Sequence, residues 1–199
     1  VAQSPAGPAW AATIKTRSAG WVESIYPVND VVTGRWTAAG SFDYTTRFRE
    51  GRFQQDQFMA FAGTAVNVSR RQLIDGVWKE WSDTYAVATG LWDPVAAVYQ
   101  LRERWTGTVE LLAFSGRKSV PVRGTSLGAD PVDNVLGVAT ERVDVRVGYD
   151  GTMKPWMMVW FGTDADRVPV EAVIQTRGGP VTIRLVERTV SPATVSQPK

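Results

Sequence analysis

Alternation of apolar and polar residues is the feature that most constrains the fold of this chain. It is clearest between Ser41 and Arg49, where successive side chains must point to opposite faces of an extended strand. One face carries Phe42, Tyr44, Thr46 and Phe48, and the other carries Asp43, Thr45, Arg47 and Arg49. About ten segments of this kind follow one another, separated roughly every 8–12 residues by turn signals such as Asp75-Gly76, which is typical of an antiparallel all-β sheet or barrel.

Residues 93–105 depart from this pattern and predict a helix. Asp93 is a favourable N-cap, and Pro94 suits the first helical position, where its missing N–H costs nothing. Val98, Leu101 and Trp105 fall on one apolar stripe with Ala97 and Val95 at its edges, whereas Gln100 points elsewhere. A helix this short needs a surface to pack on. The predicted fold is therefore mainly β, a strongly curved antiparallel sheet or open β-barrel of about ten strands wrapped around the helix at 93–105.

The length of 199 residues favours one domain. Residues 1–9 and 191–199 are rich in small residues and proline and predict disordered tails. Between them, residues 10–190 predict a single β-rich domain. The longest predicted loop within it is 124–134, because glycine, aspartate and proline are concentrated there.

The composition excludes several kinds of chemistry. The chain has neither cysteine nor histidine, so disulfides, Ser-His-Asp or Cys-His catalysis and His- or Cys-ligated zinc are ruled out. The formal charge of +2 is too small to indicate a nucleic-acid partner. No apolar run approaches the roughly 20 residues that span a bilayer, so we expect contact with a membrane to be peripheral at most. We expect no enzymatic activity, no catalytic residue, no metal and no cofactor.

Nine tryptophans are the most distinctive candidates for function. Trp156, Met158 and Trp160 share one face of a predicted strand whose other face is also apolar, so one of the two faces is available for a ligand or partner. Three more residues complete the predicted apolar ligand site, namely Trp92, Trp105 and Phe58. The alternative for each of these residues is that it simply fills a large β-sheet core.

The charged residues favour function less strongly. The arginines at 47, 49, 52, 70 and 71 are typical of the solvated face of a strand, and binding of anionic lipid headgroups or acidic glycans is the alternative. A pair of carboxylates could hydrolyse a glycoside without histidine. Nothing in the sequence places two of them across a cleft.

Two segments carry a resemblance to a known family. They are Asp93-Pro-Val-Ala-Ala-Val-Tyr-Gln-Leu-Arg102, and Val159-Trp-Phe-Gly-Thr-Asp-Ala-Asp-Arg-Val-Pro-Val170 followed by Gly179 and 181–185. The chain resembles the exported bacterial proteins of the domain of unknown function 3108 family. That family has no established activity and therefore transfers no catalytic residues. The resemblance implies a periplasmic location and a fold similar to the LolA- and LolB-like lipoprotein carriers, in which an incompletely closed sheet presents a concave apolar face.

These observations favour a non-enzymatic periplasmic binding or carrier protein that holds a lipid or acyl-chain ligand, or a lipoprotein, on the concave face of its sheet. The alternative is a structural or interaction module that docks a cell-envelope protein through an exposed sheet face or edge. A carbohydrate-binding module or carboxylate-based hydrolase is more remote.

Overall fold

The computed structural model of the chain describes residues 9–18, 24, 26–103, 107–176 and 179–186. Within them, strands alternate with tight turns, and one helix interrupts the series. The strands are β1 (Trp10–Arg17), β2 (Asn29–Thr37), β3 (Gly40–Glu50), β4 (Phe53–Ala62), β5 (Ala65–Ile74), β6 (Val77–Ala86), β7 (Thr108–Phe114), β8 (Ser119–Ala129), β9 (Thr140–Tyr149), β10 (Thr152–Gly162), β11 (Pro169–Thr176) and β12 (Gly179–Arg184). The helix, α1 (Pro94–Glu103), lies between β6 and β7.

The strands form two antiparallel sheets of six. The first sheet has the order β1-β2-β3-β4-β5-β6, and the second has the order β12-β11-β10-β9-β8-β7. In each sheet, neighbours in space are neighbours in sequence, as expected where short turns join them. The Asp75-Gly76 turn between β5 and β6 is one of these, and positive φ angles of 51° and 77° suit a two-residue hairpin.

The mainly β, antiparallel class predicted from the alternation is confirmed, but the single sheet of about ten strands is wrong. Two sheets exist because the described residues between β6 and β7, 87–103 and 107, contain no strand, so the series of hairpins stops at β6 and starts again at β7. No closed barrel is present among the described residues. The weakly patterned segment at Trp10–Arg17 is also a strand, β1, stabilised by pairing with β2.

The chain divides into two compact units. The first comprises residues 1–96 and 114–119, and the second comprises residues 97–113 and 120–199. The prediction that residues 10–190 form a single β-rich domain stays a prediction. The predicted tails, except Ala9, lie outside the described residues.

Each unit has an apolar core of its own. In the first unit the buried side chains include Tyr44, Met59, Val66 and Val68 on successive strands, and the ring of Phe114 packs edge-on against Phe61 at 6.3 Å. In the second unit, the following residues are 1% exposed or less: Leu101, Val122, Val143, Val145, Val159 and Phe161.

Helix α1 begins where the sequence predicts, but its buried face is rotated from the predicted one. Asp93, Ala96, Ala97, Gln100 and Leu101 are all 3% exposed or less, a spacing of i, i+3, i+4, i+7 and i+8. Val98, by contrast, is only half-buried. The small alanines and the buried cap at Asp93 define the inward face, so Gln100 is buried against expectation.

One strand boundary also differs from the predicted one. Strand β8 continues to Ala129, so the predicted loop at 124–134 begins about six residues too early. Gly124 within β8 is close-packed, because a Cβ atom there would lie 3.0 Å from a methyl group of Leu101. This close approach of helix and sheet requires glycine. From the sequence alone, the same glycine is interpreted as part of a loop.

Candidate functional site

A cleft of about 280 Å³ opens in the first unit, at one end of its sheet. Three connections meet there: the β2–β3 turn, the β4–β5 turn and the segment from β6 to the helix. The cleft is lined by Thr37, Ala39, Gly40, Ser41, Phe42, Phe61, Gly63, Val87, Ala88, Thr89, Gly90 and Leu91. None of these side chains is charged, so the cleft offers an apolar surface with a few hydroxyl groups.

Glycine shapes the wall of the cleft where β3 meets the segment before the helix. Gly40 has a φ of 140°, and a Cβ atom there would lie 3.0 Å from the carbonyl oxygen of Leu91. The next residue, Ser41, donates its backbone N–H to the same carbonyl at 3.0 Å. Only glycine combines this φ with this approach, so Gly40 allows the Leu91 wall to close onto β3.

Behind this wall, Ser41 and Asp93 form a buried hydrogen-bonded pair. The Ser41 hydroxyl donates to Asp93 Oδ2 at 2.7 Å and accepts the Asp93 backbone N–H at 2.8 Å. Asp93 Oδ1 accepts the backbone N–H groups of Val95 (2.8 Å) and Ala96 (3.0 Å), which confirms its predicted role as N-cap of α1. Strand β3 therefore holds the start of the helix.

The surroundings of Asp93 change how it titrates. Burial raises the pKa of its carboxyl to about 6, against the lowering effect of the hydrogen bonds from Ser41, Ala96 and Val95, and the nearby charge of Asp43 raises it further. Gly34 leaves room for the carboxylate, because a Cβ atom there would lie 2.5 Å from Oδ1. Asp93 is 0% exposed and bonded to protein groups, so we assign it a structural role rather than one in acid–base chemistry.

The predicted ligand wall on β10 lies in the second unit. Met157, Val159 and Phe161 point into the core, and Met158 and Trp160 on the other face are half-buried. Trp156 is also half-buried, but it lies at a register shift between Pro155 and Met157, so strand alternation does not fix its face. Charged partners flank that second face: Met158 lies opposite Asp144, and Trp160 lies between Arg142 and Glu171. The Trp160 indole N–H donates to Asp130 at 3.1 Å.

This environment resembles a solvated sheet face with ion pairs more than a dry cavity. Asp130 also pairs with Arg142 at 3.1 Å, and Glu171 pairs with Arg184 at 2.6 Å. The three residues Trp156, Met158 and Trp160 are brought together, but beside charges rather than beside further apolar side chains. The exception is Val173, which lies opposite Met158 on β11.

The other predicted site residues are placed separately. Trp92 is 3% exposed and packs in the core of the first unit, where its carbonyl accepts the Phe114 N–H at 2.8 Å. Phe58 is 37% exposed and lies on the face of β4 opposite the buried Met59. Trp105 lies outside the described residues. Within the first unit, the structure therefore does not bring Trp92 and Phe58 into one site, and the β10 residues belong to the second unit.

Sequence reasoning missed the uncharged cleft, because its lining comes from three connections that are far apart in the chain. Two of its side chains carried a signal: Phe42 has the parity of the buried Tyr44, and Phe61 has the parity of the buried Met59. The glycines at 40, 63 and 90 also line the cleft. They are far apart in the sequence and come together only when the turns are folded, so the sequence does not show that they form a group.

The arginines of the first sheet fall into two groups. Arg49 and Arg71 both pair with Asp56 at 2.7 Å and lie over the ring of Trp78, at 5.6 and 4.9 Å from its centroid. Burial opposes the ionisation of Asp56, but the hydrogen bonds from Arg71 and Arg49 outweigh it and lower the pKa of this carboxyl. Arg70 points to the opposite face and takes no part in this cluster.

Strand β6 forms one end of the first sheet, and nearly all of it is exposed. Val77 is 62% exposed, Trp78 is 37% exposed and Trp81 is 43% exposed. Because Trp78 and Trp81 differ in parity, their rings lie on opposite faces of the strand. They do not form a row of rings on one flat surface, which is the arrangement expected of a carbohydrate platform.

The fold is similar to that of a solved structure. A crystal structure described as a "beta-barrel-like protein of domain of unknown function DUF1849 from Brucella abortus" matches with a TM-score of 0.51 and 11% sequence identity, over 89% of this chain and 95% of that one. At this identity the likeness concerns the fold alone. No curated protein sequence matches the chain.

Two further findings bear on location and chemistry. Within the described ranges, no helix is long and apolar enough to cross a membrane. In the same part of the chain, no three acidic side chains are grouped so that they could hold a metal ion. A family model described as "Protein of unknown function (DUF3108)" matches residues 1–186.

Proposed function

Since the chain belongs to the DUF3108 family of proteins of unknown function, we propose a function from its geometry: a non-enzymatic binding or carrier protein for an apolar ligand such as an acyl chain. The observation that carries the proposal is the cleft of about 280 Å³ with no charged side chain in its wall. This volume lies near the lower end of the range for ligand pockets, roughly 300–1,000 Å³. The cleft therefore suits a short apolar segment rather than a whole lipid.

The cleft has the chemistry of an apolar subsite. Phe42, Phe61 and Leu91 contribute the large side chains, and they lie beside glycines that leave the space open. The Ser41 hydroxyl in the wall is already bonded to Asp93, so it is not available to a polar ligand. Burial of an acyl segment would contribute about 0.8 kcal/mol for each CH₂ group.

The proposal extends to location and to the finer fold. The resemblance to exported bacterial proteins supports a periplasmic location, with lipid or lipoprotein as cargo and contact with the membrane at most peripheral. The same resemblance supports curvature of the sheets around a concave apolar face, as in the LolA- and LolB-like carriers, and the β-barrel-like neighbour agrees with it at the level of fold class.

Native mass spectrometry of protein purified without detergent tests this function. We expect an adduct of acyl-chain mass that organic extraction releases. Ala88→Phe, which places a large ring in the cleft, should abolish it, whereas Ala86→Phe on the exposed end of β6 should not. Met158→Asp tests the alternative wall on β10, and loss of the adduct in this variant alone would move the site there. A clean apo mass after incubation with a lipid mixture would refute the carrier function.

A second candidate function is docking of a cell-envelope protein by strand addition to β6. The observation that favours it is the ten-residue length of this edge strand and the exposure of its side chains on both faces. A photo-crosslinking residue at Ser82 should capture one discrete partner in intact cells, whereas the same group at Thr45, exposed on the central strand β3, should not. Equal capture from both positions would refute edge docking.

A further inference from the structure

A row of polar side chains crosses three strands of the first sheet, on the face that carries its core, and ends at Trp81 on the fourth strand. Thr46 on β3 lies opposite Gln57 on β4, Gln57 lies opposite Arg70 on β5, and Arg70 lies opposite Trp81 on β6. Opposite residues of antiparallel strands point to the same face. The neighbouring row on that face is the core row of Tyr44, Met59 and Val68. At this row, the side chains on this face therefore change abruptly from apolar core residues to hydrogen-bonding groups.

Two donors in this row lack partners. The Thr46 hydroxyl belongs to a residue that is only 4% exposed, and neither it nor Arg70 Nε, which is itself buried, has a hydrogen-bond partner among the described residues. A buried polar group without a hydrogen-bond partner destabilises the folded protein. The two donors lie on either side of Gln57, and their Cα atoms are about 10 Å apart, the width of two strand spacings.

The charge of Arg70 is also not neutralised by an ion pair within the described residues. Arg71, the next residue, pairs with Asp56 on the opposite face. On the face of Arg70, the diagonal neighbours on β6 are Lys79, which adds a cation, and Asp83, for which no ion pair is present in the described part of the chain.

A basic turn packs against the middle of the row. A Cβ atom on Gly116 would lie 2.9 Å from the amide nitrogen of Gln57, so the backbone of the 115–118 turn touches that side chain. The same turn carries Arg117 and Lys118. The turn that touches Gln57 is therefore basic in sequence.

We propose that Arg70, Gln57 and Thr46 bind an oxyanion, either a carboxylate or a phosphate group. An arginine fork matches the geometry of both anions and forms charge-assisted hydrogen bonds with them. The Gln57 amide and the Thr46 hydroxyl supply further donors. The proposal does not depend on the apolar cleft: Phe61 of the cleft and Gln57 lie on the same face of β4, but the fully buried Met59 separates them.

The test is a phosphate titration of the full chain followed by ¹H–¹⁵N NMR, with sodium chloride keeping the ionic strength constant. The Arg70 Nε–H resonance, assigned by its disappearance in Arg70→Gln, should move and saturate. The matched control is Arg47, an exposed arginine of the same sheet that points to the other face: Arg47→Gln should leave the phosphate Kd unchanged. A weaker phosphate Kd at the Arg70 resonance in Arg47→Gln would overturn the proposal, because it would mean binding by net charge alone.

Thr46→Val separates binding from folding. It removes an unpaired hydroxyl without changing volume much, so the free protein should be as stable as the wild type or more stable. Phosphate should bind about tenfold more weakly, as expected for one lost hydrogen bond to a charged group. An unchanged Kd in this variant would overturn the role of Thr46 and with it the proposed site.

Three probes identify the source of the anion. They are inorganic phosphate, sodium acetate and dihexanoyl phosphatidic acid below its micellar concentration. Equal affinity for phosphate and the short-chain lipid would indicate a site for free anions, and tighter binding of the lipid would indicate a headgroup site. Failure of all three to shift the Arg70 resonance would refute the proposal, and would leave the apolar cleft to its own test.

Discussion

The buried carboxyl of Asp93 should make this protein less stable at neutral pH than at mildly acidic pH. The folded chain raises the pKa of this group to about 6 from its ordinary value of 3.8. Between these two pH values the folded state binds a proton that the unfolded state has lost. The stabilisation is therefore fully present below pH 3.8 and is lost as the pH rises through 6.

The magnitude follows from the two pKa values. Each pH unit between them corresponds to about 1.4 kcal/mol, so ionisation of Asp93 should cost about 3 kcal/mol of folding free energy at pH 7. Roughly half of this cost should appear between pH 5 and pH 7. Asp93→Asn keeps an oxygen for the N–H groups of Val95 and Ala96 but cannot ionise, so it should lose this pH dependence.

The assay is urea unfolding of the wild type and Asp93→Asn at pH 4, 5, 6 and 7. Taking the difference between the two proteins removes the contribution of every other titrating group. The variant should gain about 1–2 kcal/mol relative to the wild type between pH 5 and pH 7, and carbon NMR of the wild-type carboxyl should titrate near pH 6. A difference that stays constant to within about 0.3 kcal/mol over this range would refute the reasoning.

Three further predictions concern packing and turns. Gly34→Ala should lower the free energy of unfolding by at least about 2 kcal/mol, because Asp93 Oδ1 would lie 2.5 Å from the new Cβ atom and is held by two N–H groups. In urea unfolding, adding Asp93→Ala should relieve part of that loss, and strict additivity of the two changes would contradict this. Leu101→Ala should lower the free energy of unfolding by about 2–5 kcal/mol through cavity formation, whereas Val98→Ala on the half-buried side of the same helix should lower it clearly less. Equal losses of stability in urea unfolding would show that the buried face of the helix is assigned wrongly. Gly76→Ala should cost about 1 kcal/mol through backbone strain alone, since its φ is 77° and nothing lies within 4 Å of the added atom; thermal unfolding with no loss would count against a left-handed turn.

Local patterns predicted the local structure of this chain well. The alternation in Ser41–Arg49 became β3, the Asp75-Gly76 dipeptide became a hairpin, and Asp93 became the cap of α1. In each case the signal and the structure involve residues within one element or one turn. Short-range geometry of this kind is determined by dihedral preferences and parity, which a sequence displays directly.

Features made by distant residues could not be predicted in this way. The cleft joins positions from Thr37 to Leu91, and the polar row joins Thr46 to Arg70 only through the register of two strand pairs, β3–β4 and β4–β5. The sequence shows that Arg70 and Arg71 point to opposite faces. It does not show that Arg71 has a carboxylate partner on its face and Arg70 has none among the described residues. That difference arises because the pairing of β4 with β5 places Asp56 opposite Arg71.

Ser41 connects the stability of the helix with the wall of the cleft, and a single variant separates the two roles. Its hydroxyl lowers the pKa of Asp93 and accepts the Asp93 N–H. Ser41→Ala should therefore cost about 1–3 kcal/mol and move the titration of Asp93 above its wild-type value of about 6. The same hydroxyl is already bonded within the protein, so its loss should leave binding of an apolar ligand intact as long as the chain is folded. Loss of an acyl adduct in folded Ser41→Ala would show instead that the hydroxyl faces the ligand, and would argue for a polar occupant of the cleft.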